Sequence, residues 1–145
     1  MDCSNPRDFL LSLPYDYTEE MAFINNDILL TRTQKSFNTG RLNYFLQNVA
    51  NGIPDCVFIT TFGLDSPATT SILKYDGNKI TFTYDTSRVS GVRDNIQTDE
   101  IVSLYPEQEK YDDNLVTINY HAITPDNRDF VVFRDVIFLN VKRIY

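Results

Sequence analysis

The 145-residue chain has no tryptophan, one histidine, two cysteines and only five glycines. One imidazole and no Cys-x-x-Cys pair give no ligand set for a zinc ribbon and no thioredoxin-type site. So few glycines leave no phosphate-cradling loop, and the Gly-x-Gly-x-x-Gly, P-loop and His-Glu-x-x-His patterns are absent. No Gly-x-Ser-x-Gly elbow is present either. Bases are scarce as well: 13 Lys plus Arg stand against 20 Asp plus Glu, a net charge of −7. That sign argues against nucleic acid as a partner, because gripping a phosphate backbone calls for the opposite charge. No apolar run has the length of a membrane span. No cofactor is expected.

What the chain does have is aromatic content, 10 Phe and 9 Tyr, within a 42% hydrophobic composition. This is the make-up of a folded domain, and the length suits one domain over 1–145. Residues 1–17 read as an irregular segment, with Pro6 and Pro14 breaking any helix and Phe9, Leu10, Leu11 and Leu13 docking it on the core. Asp16-Tyr17-Thr18-Glu19 fits a capping box before a short helix, followed by a strand over 27–31. A longer helix follows, capped by Asn38, with Phe37 and Leu42 as a hydrophobic staple. Its apolar stripe is Leu42, Phe45, Leu46 and Val49, at i, i+3, i+4 and i+7. Gly52 suits the left-handed turn at its end, and Pro54 prevents continuation.

Beyond Pro54 the period becomes strand-like. Strands are expected over 56–62, 69–75 and 79–85, the last two joined through Asp76-Gly77-Asn78. A two-residue loop there would set Lys74 against Lys79, which a longer loop avoids. Ile80, Phe82 and Tyr84 alternate with Thr81 and Thr83, as in a sheet with one covered and one wet face. Residues 86–98 read as a loop around Gly91, with further strands over 101–105 and 115–123, and then either two strands over 130–133 and 136–144 or one strand interrupted at Arg134-Asp135. This order predicts an α+β fold: a largely antiparallel sheet of five to seven strands, with one long and one short helix packed on one face.

Seven acids (Asp94, Asp99, Glu100, Glu107, Glu109, Asp112, Asp113) against Lys110 place −6 of the net charge in residues 94–113. Such a segment is a solvated loop and strand edge, or a docking surface for a basic partner. It lacks the ligand order and turn glycine of a calcium loop, and in Asp126-Asn127-Arg128-Asp129 an arginine stands where a ligand should be. Tyr84-Asp85-Thr86-Ser87-Arg88 closes a strand with groups of both signs. It is either a locally bonded turn or a small recognition surface using Tyr84 and Arg88. Cys56, in an apolar run, reads as a half-buried thiol acting as a small hydrophobe. The alternatives are a bond to Cys3, a question of Cα separation, and a nucleophile with His121 as base. His121 reads as a satisfied strand histidine.

Two stretches carry a family likeness. One is Phe45-Leu46-Gln47-Asn48-Val49-Ala50-Asn51-Gly52, with Asp55 and the strand over 57–61. The other is Leu73-Lys74-Tyr75-Asp76-Gly77-Asn78-Lys79-Ile80, running on to Tyr84-Asp85-Thr86-Ser87-Arg88. With Asn26-Asp27-Ile28-Leu29 upstream, they resemble domain-of-unknown-function family 4362 over roughly residues 20–105. That family consists of small bacterial domains, many carried on predicted lipoproteins of Gram-positive bacteria. The resemblance implies a fold and an envelope setting, and no catalytic residues. Many members carry later cysteines; here none follows Cys56.

Three functional expectations result. The first is a non-enzymatic bacterial binding or accessory domain, a monomer or weak dimer with an unknown protein or small ligand as partner, carried at the cell surface on a lipoprotein. Cys3 would then be the lipidated residue, although only Met1 and Asp2 precede it here. The second is a cytoplasmic, immunity-type interaction protein using the acidic 94–113 segment, with Glu107, Glu109, Asp112 and Asp113 as its contacts. The third is a small hydrolase using Cys56 and His121.

Overall fold

A computed structural model describes residues 3–92 and 95–139. The chain runs α1 (Pro6–Ser12), α2 (Glu19–Ile24), β1 (Ile28–Leu30), β2 (Ser36–Phe37), α3 (Gly40–Ala50), β3 (Asp55–Thr61), β4 (Thr69–Tyr75) and β5 (Ile80–Asp85). It continues through α4 (Ser87–Ser90), β6 (Ile96–Ile101), β7 (Ser103–Lys110), β8 (Leu115–Ile123) and β9 (Asp129–Phe138). A six-stranded sheet has the order β2-β1-β3-β4-β5-β6, and a three-stranded sheet the order β7-β8-β9. Every pairing is antiparallel except β1 with β3. The fold is α+β with a largely antiparallel sheet, as its sequence order implies.

The arrangement differs from that expectation in two respects. First, β7, β8 and β9 form a sheet of their own. The chain leaves the large sheet at Ile101, turns at the exposed Val102, and enters the small one at Ser103. Residues 96–98 are therefore strand, not loop, and the expected 101–105 strand is split by this bend. Second, helices cover both faces of the large sheet. On the front face, Val57, Ile59, Leu73, Ile80 and Phe82 join Leu42 and Phe45 of α3 and Tyr120, Ala122 and Phe133 of the small sheet. On the back face, Leu10 of α1 packs on Phe58 and Ile72, while Tyr17 and Ala22 pack on Leu29, Phe62 and Ala68. The face carrying Thr81 and Thr83 is consequently not wet; Thr83 is buried and its hydroxyl meets Thr98 Oγ1 at 3.0 Å.

Local chemistry explains the other departures. Pro6 opens α1 at its first turn instead of breaking it, behind Asn5, whose side chain accepts the Asp8 N–H. Thr18, not Asp16, caps α2 by accepting from the Met21 N–H at 3.1 Å. Thr39 takes the cap position of α3 without a side-chain bond. Asn38 sits at φ 59° and donates its amide to the Asn26 carbonyl, so it fixes the entry turn to β1. Phe37 lies on β2 and meets Phe23 edge-on at 5.6 Å, so no staple to Leu42 forms. The stripe of α3 holds: Leu42 and Phe45 are fully buried, and Leu46 and Val49 pack against them.

The β4–β5 hairpin resolves the Lys74 question. Asp76 Oδ1 accepts the Asn78 and Lys79 N–H groups at 2.8 and 2.7 Å, and Gly77 adopts φ 97°. Tyr75 then pairs with Ile80, and Lys74 faces Thr81. In the small sheet, β9 runs unbroken through Arg134 and Asp135 to Phe138, with a bulge at Val132 where Tyr120 pairs with Phe133 and His121 with Val131. The remainder of the expected last strand, from 140 onward, lies outside the described residues.

Candidate ligand-binding cleft

α3 and the small sheet together do not fill the whole front face. Between β3, β4 and β5 on one side and the start of β9 on the other lies a cavity of about 600 Å³. Its apolar wall is Ile59, Phe82, Phe130 and Val132, with the hydroxyls of Thr61, Thr69 and Ser71 along one flank. Strand alternation puts these residues there. Ile59 pairs with Ser71, Ser71 with Tyr84, and Phe82 with Asp99, so all project from the same face. Phe82 stacks on Tyr84 at 5.4 Å and tilts against Phe130 at 5.7 Å, which makes a continuous aromatic floor.

A polar chain closes the mouth. Tyr84 donates its hydroxyl to Gln97 Oε1 at 2.9 Å and to Asp99 Oδ2 at 3.3 Å. Asp99 Oδ1 accepts from Arg128 Nη2 at 2.9 Å, and Arg128 Nε donates to Asp126 Oδ2 at 3.0 Å. The turn from β8 to β9 builds this rim: Thr124 donates its hydroxyl to Asp126 Oδ1 and accepts from the Arg128 N–H, while Asn127 takes φ 67°. Burial and the Asp99 carboxylate beside it raise the Tyr84 hydroxyl above its ordinary pKa, so it remains a neutral donor across the physiological range. Beside Arg128, Asp129 Oδ1 meets His121 Nδ1 at 2.9 Å, and the imidazole stacks on Tyr105 at 5.3 Å.

Of the residues singled out from sequence, only Tyr84 belongs to this cleft. Arg88 is buried on the other side of the sheet and cannot share a recognition surface with it. Its guanidinium donates from Nε to the Tyr15 carbonyl, from Nη2 to that of Pro14 and from Nη1 to that of Ala68, at 3.0, 3.0 and 3.4 Å. It also lies over the Tyr17 ring. Arg88 is thus the clamp that holds the N-terminal segment down.

Glu107 and Glu109 lie exposed on β7, the edge of the small sheet, where Glu109 accepts from Asn119 Nδ2 at 3.0 Å. Asp112 and Asp113 sit in the β7–β8 turn, Asp112 accepting from the Asn114 N–H and Asp113 lying 3.4 Å from Lys110. Asp94 lies outside the described residues. Asp99 enters the sequence reading only within the acidic 94–113 segment, Arg128 and Asp129 only as a broken calcium-loop pattern, and Phe130 only as the start of a strand; the structure brings all four to the cleft. The arginine that spoiled a calcium loop in Asp126-Asn127-Arg128-Asp129 was the one available signal.

The cysteines correct two expectations. Cys3 and Cys56 form a disulfide with Cα atoms 6.5 Å apart, inside the range such a bond spans. Docking of α1 against β3, with Phe9 stacked on Phe58 at 4.3 Å, brings Cys3 over Cys56. Cys56 is therefore no free thiol and no nucleophile for His121, whose ring nitrogen is engaged by Asp129. Nor does Cys3 retain a thiol for a lipid thioether.

Among the described residues, no group of three or more His, Cys, Asp or Glu could hold a metal ion. None of their helices is long and apolar enough to cross a membrane. Comparison with protein-family models, curated proteins and solved structures gives no match.

Proposed function

We propose that the protein is a non-enzymatic binding domain that works by enclosing a small, partly apolar ligand in the front cleft. The observation that carries this reading is the cavity itself. Its size falls in the range of small-molecule sites, about 300–1,000 Å³, and it combines an apolar wall with a few convergent polar groups. The resemblance to family 4362 supports a bacterial accessory domain, and the Cys3–Cys56 bond supports an oxidising, extracytoplasmic setting, where such bonds persist. Cys3 is not the anchor in this reading.

The test is a fragment screen followed by amide chemical shifts, on wild type and on Ser71→Phe. Ser71 is buried against the cleft wall, and a phenyl ring there fills the space. Hits should move Ile59, Phe82, Tyr84 and Val132 and should be lost in Ser71→Phe. Hits scattered over other surfaces and indifferent to Ser71→Phe would overturn the reading.

A second reading rests on the edge of the small sheet. Among the described residues β7 pairs with β8 alone, and it presents Glu107 and Glu109 beside the turn holding Asp112 and Asp113. An edge of this kind suits strand addition by a basic partner segment. Pull-down of such a partner should fail when all four acids are made neutral; capture unaffected by that change would dismiss the idea.

A further inference from the structure

Resting on the cleft reading above, we infer that the ligand is an amphipathic cation, an aromatic or alkyl body bearing an ammonium group that sits against the Asp99–Asp129 side of the mouth. Charge at the rim is unbalanced. Among the described residues, Arg128 is the one cation lining the cleft, and Asp99 and Asp126 already share it through Nη2 and Nε. Asp129, also in the lining, meets the His121 imidazole through Nδ1, and among the described residues no arginine or lysine pairs with it. Among the described residues, two lining carboxylates, with Asp126 behind them on Arg128, stand against one guanidinium, and an anionic head group is the less favoured occupant.

The floor reinforces the choice. Phe82, Tyr84 and Phe130 present stacked and tilted rings to the cavity. Ring faces attract a cation, most strongly where water is excluded, and Phe82 retains only 7% exposure. The hydroxyls of Thr61, Thr69 and Ser71 can accept from an ammonium N–H as readily as they can donate.

The experiment compares three probes of equal shape: 4-phenylbutylammonium, 4-phenylbutanol and 4-phenylbutanoate, each titrated into the intact disulfide-bonded protein and followed by amide shifts. The ammonium should bind about five- to tenfold tighter than the alcohol, the sum of a cation–π contact and a partly exposed ion pair. The carboxylate should bind weakest. Asp129→Asn, an exposed and conservative change, should erase most of the ammonium advantage and leave the alcohol unaffected. Phe130→Leu should weaken ammonium more than alcohol. Raising the salt concentration should weaken the ammonium, strengthen the carboxylate and leave the alcohol unchanged. If the alcohol or the carboxylate binds as tightly as the ammonium, or Asp129→Asn leaves the ratio unchanged, the cationic ligand is wrong while the cleft reading stands. If none of the three moves cleft resonances, and the fragment screen also finds no hit there, both fail.

Discussion

On the back of the six-stranded sheet, α1 and α2 lie directly against the strands, and several buried polar groups there are bonded across the layers. Tyr17 donates to Asp27 at 2.7 Å, Thr60 donates to the same carboxylate oxygen at 2.8 Å, and Arg88 grips three carbonyls. On the front, α3 covers one part and the small sheet another, and a cavity is left between them. Both faces mix rings, hydroxyls, carboxylates and an arginine. Space remains on both sides, but the back recesses beside Arg88 and Tyr17, of about 400 and 430 Å³, border groups that tie the N-terminal segment down, whereas the front cavity of about 600 Å³ has an aromatic floor. The back face holds the fold together, and the front one is left free to meet something else.

The contrast can be broken most forcefully by cutting the tether on the back. Cys3→Ser with Cys56→Ser removes a cross-link closing 53 residues and should cost about 3–4 kcal/mol in urea unfolding. It should also speed amide exchange in α1. Arg88→Met comes next. It keeps an apolar stem but strips the carbonyls of Pro14, Tyr15 and Ala68 of their donor, for about 2–3 kcal/mol. Neither change should alter the shifts that cleft fragments produce; if both do, the two faces are not separate.

Asp27→Asn probes the back face more finely. Burial pushes the Asp27 carboxyl above its usual range, and the Tyr17 and Thr60 hydroxyls that donate to it do not offset that; among the described residues its Oδ1 has no partner. A raised carboxylate favours the folded state most when protonated. Its contribution is therefore full below the usual carboxylate pKa and declines as pH rises through that range toward the folded value. The wild type should accordingly gain on Asp27→Asn when both are moved from pH 7.5 to pH 4.5, with the variants within about 1 kcal/mol of each other at the higher pH. Asp55 runs the other way. Burial alone would raise it, but donors from Arg41, Asn48 and the Cys56 N–H together hold it below the usual range, so its support fades only in stronger acid.

The smallest effect belongs to the open side. Tyr84→Phe deletes the hydroxyl bonds to Gln97 and Asp99 at a site water can reach, so stability should fall by no more than about 1 kcal/mol. A loss comparable to that of Arg88→Met would mean that the front face, too, is chiefly structural.

Period and turn chemistry made the large sheet legible. The α3 stripe, the Asp76-Gly77 hairpin and the alternation of Ile80, Phe82 and Tyr84 all rest on neighbours in sequence, and all appear in the structure. Features that depend on distant partners were not legible. Arg88 stood next to Tyr84 in a short polar run, yet its three acceptors lie up to 74 residues away. Cys56 read as a small hydrophobe because only the docking of α1, opened by a proline that looked like a breaker, brings Cys3 to it. The cleft was half visible: strand alternation gave its floor, while its rim needs a turn from the small sheet to reach Asp99.

Val102 is where those two sheets share one thread. Its N–H bonds to the Ile123 carbonyl at 2.8 Å, and the residues on either side of it serve different sheets. Leu104 turns toward the core, while Tyr105, Glu107 and Glu109 share the other parity. One added residue at this bend would shift that parity and drive acidic side chains toward the interior unless the ribbon looped the extra residue out. At this corner the count of residues is itself part of the fold.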